Sequence, residues 1–226
     1  MAYKGYLLEK FKPQTVNLRL QGMNKFLEFI KQDKLKMKFV KVQQKNFLEN
    51  VISNEDYKFL KTRLKNDGYE EWYFVVWFMT ATGARVSELL QIKAEHITAG
   101  HLDIYTKGGK IRRLYIPQIL KNEAVVWLRS KGISSGYIFL NRFGKRITTR
   151  GIAQQLKHFA DKYGLKREVV YPHSFRHRFA KNFLDRFNDI ALLADLMGHE
   201  SIETTRIYLR RTATEQRAIV DKVVTW

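Results

Sequence analysis

The chain has 226 residues, of which 45% are hydrophobic and 13% aromatic, so it is long and apolar enough to bury a core in one or two domains and is not a disordered polymer. Its 41 Lys and Arg residues against 22 Asp and Glu residues give a formal net charge of +19, which favours a polyanionic partner. The absence of cysteine excludes disulfides, thiolate metal sites and cysteine nucleophiles.

The distribution of charge and apolar residues indicates where the protein acts. Its basic residues are spread along the whole chain, which favours nucleic acid over an acidic membrane surface as the partner. The first residues lack the apolar core of a signal peptide. The most apolar run, residues 72–81, is about half as long as a bilayer span. We therefore expect a cytoplasmic protein with no membrane partner.

The N-terminal quarter is predicted to contain one amphipathic helix over residues 15–33, with Thr15 as its N-cap. The residues on its apolar face are Val16, Leu20, Met23, Leu27 and Ile30. Residues 34–45 are predicted to form an extended linker or a short strand, because basic and apolar residues alternate there.

The middle of the chain begins with two predicted helices and continues with strands. The helices cover residues 54–65, capped by Ser53, and residues 69–81, ending near Gly83. Three short strands are then predicted, with turns at Gly100 and at the Gly108-Gly109 pair. Their ranges are residues 91–97, 101–105 and 111–116.

The C-terminal half is predicted to be almost entirely helical. Pro117 begins a helix that reaches about residue 131, and Thr148 or Thr149 precedes a helix that ends before Gly164. Three further helices follow Pro172, over residues 173–186, 189–197 and 201–209, and a short amphipathic helix ends the chain. The fold class is therefore mainly α with a small three-stranded antiparallel sheet, an α+β arrangement.

Several short motifs contain side chains suited to phosphate chemistry. Arg85 lies in Ala-Thr-Gly-Ala-Arg-Val-Ser-Glu, and Lys107 lies in Thr-Lys-Gly-Gly-Lys. His-x-x-Arg-His and Met-Gly-His follow, and a tyrosine stands nine residues after the last of these histidines. The six candidate catalytic residues are Arg85, Lys107, His173, Arg176, His199 and Tyr208. Each taken singly has an ordinary structural explanation, and Lys110 competes with Lys107 in the same turn.

In their order and spacing these motifs resemble the catalytic domain of the tyrosine recombinase (phage integrase) family, over roughly residues 54–208. The resemblance implies that Tyr208 forms a 3′-phosphotyrosyl bond and that Lys107 protonates the departing 5′ oxygen. It further implies that His173 accepts the tyrosine proton or orients Tyr208. A 5′-hydroxyl of a partner strand would then attack the intermediate, so neither a metal nor ATP is expected.

The residue types themselves agree with that chemistry. Guanidinium groups at Arg85 and Arg176 match phosphate oxygens two at a time, and His199 can donate a further hydrogen bond. Glu88, three residues after Arg85, is predicted to support that arginine from behind. A zinc site at His173 and His177 is disfavoured, because a metalloprotease motif has Glu after its first His and Ser174 stands there.

DNA contacts and domain organisation are the remaining expectations. Residues 1–50 are interpreted as a partial helical core-DNA-binding region with a linker, and residues 51–226 as the catalytic domain with a C-terminal interaction helix. That helix is expected to dock either on its own domain or in trans on a neighbouring protomer. Double-stranded DNA and other copies of the chain, from dimer to tetramer, are the expected partners. The candidate DNA-contacting residues are Arg142, Lys145, Arg146, Arg150, Arg19 and Lys25.

The sequence thus predicts a site-specific DNA recombinase or integrase, and two alternatives remain. A type IB topoisomerase would use the same active-site logic but relax DNA without exchanging strands. A DNA-binding regulator would keep the fold and occupy its sites without cutting.

Overall fold

The computed structural model of the chain describes residues 2–42, 50–105, 111–209, 217 and 220–224. The chain divides into two compact units, Met1–Asn46 and Phe47–Trp226.

The smaller unit contains two helices, α1 (Ala2–Lys10) and α2 (Pro13–Phe29), followed by a 3₁₀ turn at Asp33–Leu35. The sequence did not predict α1. The prediction for α2 was wrong at its ends, because Pro13 occupies the first helical turn and Lys12, not Thr15, is the N-cap. Leu7 of α1 packs with Val16 and Leu20 of α2 in a small buried cluster.

The segment after α2 is held extended by two asparagines. Asn17 donates to the carbonyl of Val40 at 2.8 Å and accepts from its N–H at 2.7 Å. Asn24, two turns further along α2, makes the same pair of bonds with Met37, at 2.9 and 2.8 Å. These side chains satisfy backbone groups that would otherwise need a strand partner.

The larger unit is built around α4 (Glu70–Thr82), in which every residue from Tyr73 to Thr80 is buried. It packs against α3 (Asn54–Asn66), α7 (Gln118–Ser130) and α9 (Pro172–Phe187). A helix that is apolar on all sides belongs at the centre of a core. Gly83 ends α4 in the left-handed conformation with φ of 64°, as the sequence predicts.

Among the described residues, the sheet has two strands and not the three that the sequence predicts. β1 (His101–Tyr105) pairs antiparallel with β2 (Ile111–Tyr115), with His101 opposite Tyr115. The predicted strand at residues 91–97 is wrong, because α5 (Val86–Leu89) is followed by another short helix, α6 (Ala94–Ala99). The buried residues Ala94 and Ile97 lie three apart, which is a helical spacing. In so short a segment, the sequence pattern does not separate helical spacing from the alternation of a strand.

The remaining elements are helical. They are α8 (Thr149–Lys162), α10 (Ile190–Met197), α11 (Ile202–Arg206) and a 3₁₀ turn at Ile207–Leu209. The predicted helix that ends at residue 209 therefore changes its winding at Ile207, just before Tyr208. Tyr208 packs on Leu184 of α9 and Met197 of α10 in a second buried cluster.

Two further predictions concern the tail helix and the lack of a membrane span. The predicted tail helix lies mostly outside the described residues, and its described Val220, Val223 and Val224 are exposed. In the part of the chain that the structure describes, none of the helices combines the length and the apolar character that crossing a membrane requires.

Candidate active site

Arg85 is oriented by Glu88 at the start of α5. Arg85 is the N-cap residue, and its backbone N–H donates to Glu88 Oε2 at 2.7 Å. Its Nη1 donates to Oε1 of the same carboxylate at 2.9 Å. The Arg85 side chain is 37% exposed whereas that of Glu88 is 6% exposed. The buried carboxylate thus holds a guanidinium that still faces outward.

Arg176 ties together three segments that are distant in sequence. Its Nη1 donates to the carbonyl of Gly83 at the end of α4, and its Nη2 donates to the carbonyl of Met197 at 2.6 Å. The same Nη2 lies 3.1 Å from Nε2 of His199. Burial, together with the neighbouring Arg85, lowers the Arg176 pKa to about 10, so this arginine is still charged at neutral pH.

His199 follows the left-handed Gly198 that ends α10. Its Nδ1 lies 2.8 Å from the hydroxyl of buried Thr205, which fixes the ring. Burial first, and then the positive charge of Arg176 and Arg85, lower the His199 pKa to about 4. The ring is therefore neutral at physiological pH and keeps one nitrogen as a donor.

Tyr208 lies against two histidines. Its ring stacks on His199 with centroids 6.2 Å apart and an interplanar angle of 12°. Its hydroxyl lies 3.0 Å from Nδ1 of His177. Burial raises the pKa of Tyr208, while Arg176 and Arg85 act in the opposite direction.

The hydroxyl of Tyr208 therefore bonds to His177, whereas the sequence singled out His173 as its neighbour. His173 lies one turn earlier on α9, with its ring centroid 6.3 Å from that of His177. Burial and the charge of His173 lower the His177 pKa to about 4, so this imidazole is neutral and can accept a proton. His173 is exposed, and its pKa is lowered by partial burial and by Arg176.

A third arginine, which the sequence analysis did not single out, completes the site. Arg112 of β2 donates from Nη1 to Glu88 Oε1 at 2.7 Å, and Arg176 Nη1 lies 3.9 Å from Glu88 Oε2. We call Arg85, Glu88, Arg112 and Arg176 the buried charge cluster. Its three guanidinium groups and one carboxylate leave an excess of two positive charges, which suits an anion such as a phosphodiester.

Sequence signals for the two missed residues exist but are weak. His177 stands four residues after His173, which places both on one face of α9. Arg112 alternates with exposed Ile111 and Arg113, and it shares its buried side of the strand with Leu114. An arginine at an inward position of a strand is uncommon and indicates a buried partner.

Lys107 and its competitor Lys110 lie outside the described residues, in the connection between Tyr105 of β1 and Ile111 of β2. The structure does bring Arg85, Arg176, His199 and Tyr208 together through the contacts above. Within the described ranges, no group of three or more His, Asp or Glu side chains is arranged to hold a metal ion.

The candidate DNA-contacting residues lie on exposed surfaces. We call residues 141–150 the basic turn; a bridge between Leu140 and Arg146 closes it and Thr148 caps α8 after it. Its exposed basic side chains are Arg142, Lys145, Arg146 and Arg150. In the smaller unit, Arg19 stacks over Phe11 at 3.9 Å and Lys25 pairs with Glu28 at 3.3 Å.

Comparison with known sequences identifies relatives over most of the chain. The profile of the phage integrase family matches residues 47–215. The chain is 31% identical to tyrosine recombinase XerA of Pyrococcus furiosus over 97% of this chain and 76% of that protein. It is 32% identical to tyrosine recombinase XerC of Pseudomonas entomophila over 62% of this chain and 48% of that protein. The chain thus spans about half the length of the XerC relative that it matches.

Solved structures share the fold at lower identity. A crystal structure of XerA recombinase matches with a TM-score of 0.66 and 20% identity, covering 100% of this chain and 82% of that one. XerH bound to palindromic difH in a post-cleavage complex matches with a TM-score of 0.74 and 20% identity, over 100% of this chain and 70% of that one. The Tn1549 transposon integrase with transposon right end DNA matches with a TM-score of 0.72 and 14% identity, over 99% and 84% of the two chains.

Proposed function

The chain belongs to the phage integrase family, and from this premise we propose that it is a site-specific tyrosine recombinase that breaks and rejoins DNA through a 3′-phosphotyrosyl intermediate. The observation that carries the proposal is the contact of Tyr208 with both His199 and His177, beside the buried charge cluster. A phenol next to bound guanidinium groups is the arrangement that attack on a phosphodiester needs.

The scissile phosphate is bound by Arg85, Arg176 and His199 in this proposal. Arg85 is the exposed member of the buried charge cluster, and Arg176 and His199 lie 3.1 Å apart behind it. The guanidinium groups of Arg85 and Arg176 offset the charge that develops on the non-bridging oxygens in the transition state. His199 joins them as a donor through Nε2 once the phosphate replaces its contact with Arg176 and the ring proton moves from Nδ1 to Nε2. The two arginines are already fixed by protein contacts, so they need little reorganisation when DNA binds.

Tyr208 supplies the nucleophile. Its oxygen forms a bond to phosphorus while the bond from phosphorus to the 5′ oxygen breaks. The phenolic proton passes to Nδ1 of His177, which is neutral and lies 3.0 Å away. The 5′ oxygen takes a proton from Lys107. His173, one turn from His177, stays predicted as an acceptor or orienting group once DNA is bound.

Rejoining is the reverse reaction with another strand. The 5′-hydroxyl of a partner strand attacks phosphorus, and Tyr208 leaves with a proton returned from His177. The phosphotyrosyl bond retains the energy of the original diester, so the exchange consumes no nucleotide.

Double-stranded DNA and further copies of the chain are the proposed partners. The excess of basic residues and the exposed basic turn supply phosphate contacts. Structural relatives include a lambda integrase dimer bound to a core site, which supports assembly of a dimer on DNA, and two such dimers would form the proposed tetramer. The smaller unit is proposed as a core-DNA-binding region, and cellular DNA as substrate places the protein in the cytoplasm.

A non-cleaving regulator is not favoured, because a regulator has no need for a tyrosine held against a neutral histidine beside paired arginines. Relaxation of DNA by a type IB topoisomerase would use the same bond chemistry. It differs in joining each strand back to its own end, and a recombination assay with two labelled duplexes separates the two reactions.

Covalent capture tests the proposal directly. The protein is mixed with a library of nicked duplexes, denatured in detergent, and DNA that remains bonded to protein is recovered and sequenced. We expect trapping by the native chain, none by Tyr208→Phe, and native-like trapping by Tyr105→Phe, whose tyrosine is 76% exposed on β1. Binding in a gel shift without any trapping by the native chain would contradict the proposal.

A further inference from the structure

We propose that Arg112 is a positioning residue for the cleavage reaction, which holds Glu88 behind Arg85 and fixes the turn that carries His199. The inference rests on the proposed recombinase function and assigns a role to a side chain outside the six predicted catalytic residues.

Arg112 is buried, and its hydrogen bonds are made to groups of the protein. The residue is 6% exposed, although it stands on a two-stranded sheet at the surface of the unit. Its Nη1 donates to Glu88 at 2.7 Å and its Nε donates to the carbonyl of Leu196 at 2.8 Å. Nη2 is also buried and finds no acceptor among the described residues. Burial of a guanidinium costs desolvation free energy, so we infer that its two hydrogen bonds have a role in the site.

The first of these bonds acts on Arg85 through Glu88. Oε1 of Glu88 accepts from both Arg112 and Arg85, and Oε2 accepts from the backbone of Arg85. The carboxylate thus accepts one hydrogen bond from the buried Arg112 and others from the partly exposed Arg85. Removal of Arg112 would free Glu88 to rotate, and Arg85 would lose its fixed position at the scissile phosphate.

The second bond acts on His199. Leu196 and Gly198 belong to the turn that ends α10 and presents His199. A Cβ built on Gly198 would lie 2.3 Å from Cδ of Arg112, so this arginine fills the space against the turn. Arg85 Nη2 also approaches the carbonyl of Gly198, at 3.2 Å. Both arginines therefore bind carbonyl groups of the segment that precedes His199.

Arg112 stands on β2, five residues after Lys107 in the sequence. Its side chain thus links β2 with the groups proposed to bind the phosphate.

Its neighbour Arg113 provides a matched control. Arg113 lies on the opposite side of the same strand and pairs with Asp103 of β1 at 2.7 and 2.8 Å, with 47% of its side chain exposed. The two residues have the same chemistry and the same strand position apart from the side of the sheet that they face. A difference between their variants therefore reports on the buried bonds and not on the loss of an arginine.

The experiment compares Arg112→Met, Arg113→Met and the native chain in single-turnover covalent trapping at saturating DNA, with affinity measured by gel shift. We expect Arg112→Met to cleave about 100-fold more slowly, as for loss of one transition-state donor, with unchanged DNA affinity. Arg113→Met is expected to cleave at the native rate once DNA is saturating. A native cleavage rate for Arg112→Met would overturn the proposal.

Two further measurements separate positioning from a general loss of structure. A methylphosphonate at the scissile position is neutral, so the phosphate-binding arginines contribute less to its cleavage. We therefore expect Arg112→Met to lower the cleavage rate less on this substrate than on native DNA. An equal loss of rate on both substrates would overturn the proposal. In addition, Arg112→Met added to Glu88→Gln should cost far less than Arg112→Met alone, because both act on Arg85. Fully additive losses would contradict that route.

Thermal melting identifies variants that fold poorly. Should Arg112→Met fail to fold, Arg112→Lys keeps the charge with one of the two bonds, and it should cleave at an intermediate rate. Native-like cleavage by Arg112→Lys would then contradict the need for both bonds. Failure of the native chain to trap DNA would instead refute the recombinase function on which the inference rests, so the two failures are distinguishable.

Discussion

The buried charge cluster and the basic turn contain the same kind of side chain in opposite surroundings. In the cluster, three arginines share one carboxylate that is 5% exposed, and each guanidinium has a fixed protein partner. In the basic turn, the four cationic side chains are exposed, and Arg142 and Arg146 lie over the rings of Phe143 and Tyr137, at 4.8 and 4.9 Å.

The contrast separates attraction to DNA from chemistry on DNA. Exposed cations interact with phosphates across water and are screened by salt, so they contribute affinity but little precision. Buried cations interact in a low dielectric and cannot move, so they stabilise charge at one point in space at a cost in desolvation. We expect substitutions in the two regions to separate in the same way, with large effects on cleavage and stability in the cluster and small, salt-dependent effects in the turn.

The largest effect is expected from Glu88→Gln. Loss of the carboxylate leaves three guanidinium groups without their shared counter-charge, and breaking a buried pair costs roughly 4 kcal/mol. The control is Asp103→Asn, which removes an exposed, solvent-screened ion pair with Arg113 and should cost far less stability. Urea denaturation measures both, and equal losses would show that burial of the cluster does not matter.

Gly83→Ala tests the backbone that presents the Gly83 carbonyl to Arg176. A Cβ there would lie 2.4 Å from Cδ1 of Phe179, on a backbone with φ of 64°. We expect a loss of about 3 kcal/mol, from left-handed strain plus overpacking. Gly132→Ala shares the positive φ, 67°, but meets nothing within 4 Å, and should lose only about 1 kcal/mol. Equal melting temperatures for the two variants would refute the contact with Phe179.

Acidification should destabilise the site. The pKa values of His177 and His199 are about 4 in the folded chain against 6.5 in the unfolded one. Between these values the unfolded chain binds more protons, so their contribution to the free energy of unfolding falls as pH is lowered from 6.5 to 4. Glu71 acts oppositely, because burial raises its pKa to about 7.

The comparison is therefore made between chains that share Glu71. The native chain should lose more stability between pH 6.5 and 4.5 than a His177→Gln/His199→Gln variant, measured by urea denaturation at each pH. Parallel pH profiles would contradict the lowered histidine pKa values.

The smallest effect on stability is expected in the basic turn. Substitution of its arginines by glutamine should change the free energy of unfolding by less than about 0.5 kcal/mol. For each lost phosphate contact, the slope of log affinity against log salt should fall by about 0.9. Arg167→Gln serves as a control, because that exposed arginine already pairs with Asp161. An unchanged salt slope would remove the turn from the DNA interface.

Elements whose ends are set by local bonds could be predicted from the sequence. Ser53 accepts from the N–H of Asp56 at 2.9 Å and Thr148 accepts from that of Gly151 at 3.0 Å, so the caps of α3 and α8 are correct. The prediction of a strand at residues 91–97 was wrong because this segment is too short for its sequence periodicity to separate a helix from a strand. Helix α1 was not predicted because its sequence has no marked apolar face: of its residues, only Leu7 belongs to the buried cluster of its unit.

By itself, the sequence determined the mainly helical fold class and the family, and it predicted a set of catalytic residues, because helix caps, turn glycines and short motifs are local in the chain. Only the tertiary structure decided which of two adjacent arginines on β2 is buried, and which of two histidines on α9 bonds to Tyr208. Those choices depend on contacts between residues far apart in sequence, such as Arg112 with Leu196. Local patterns such as strand alternation bear only weakly on these choices, because the cost of burying a charge depends on the partners that packing brings to it.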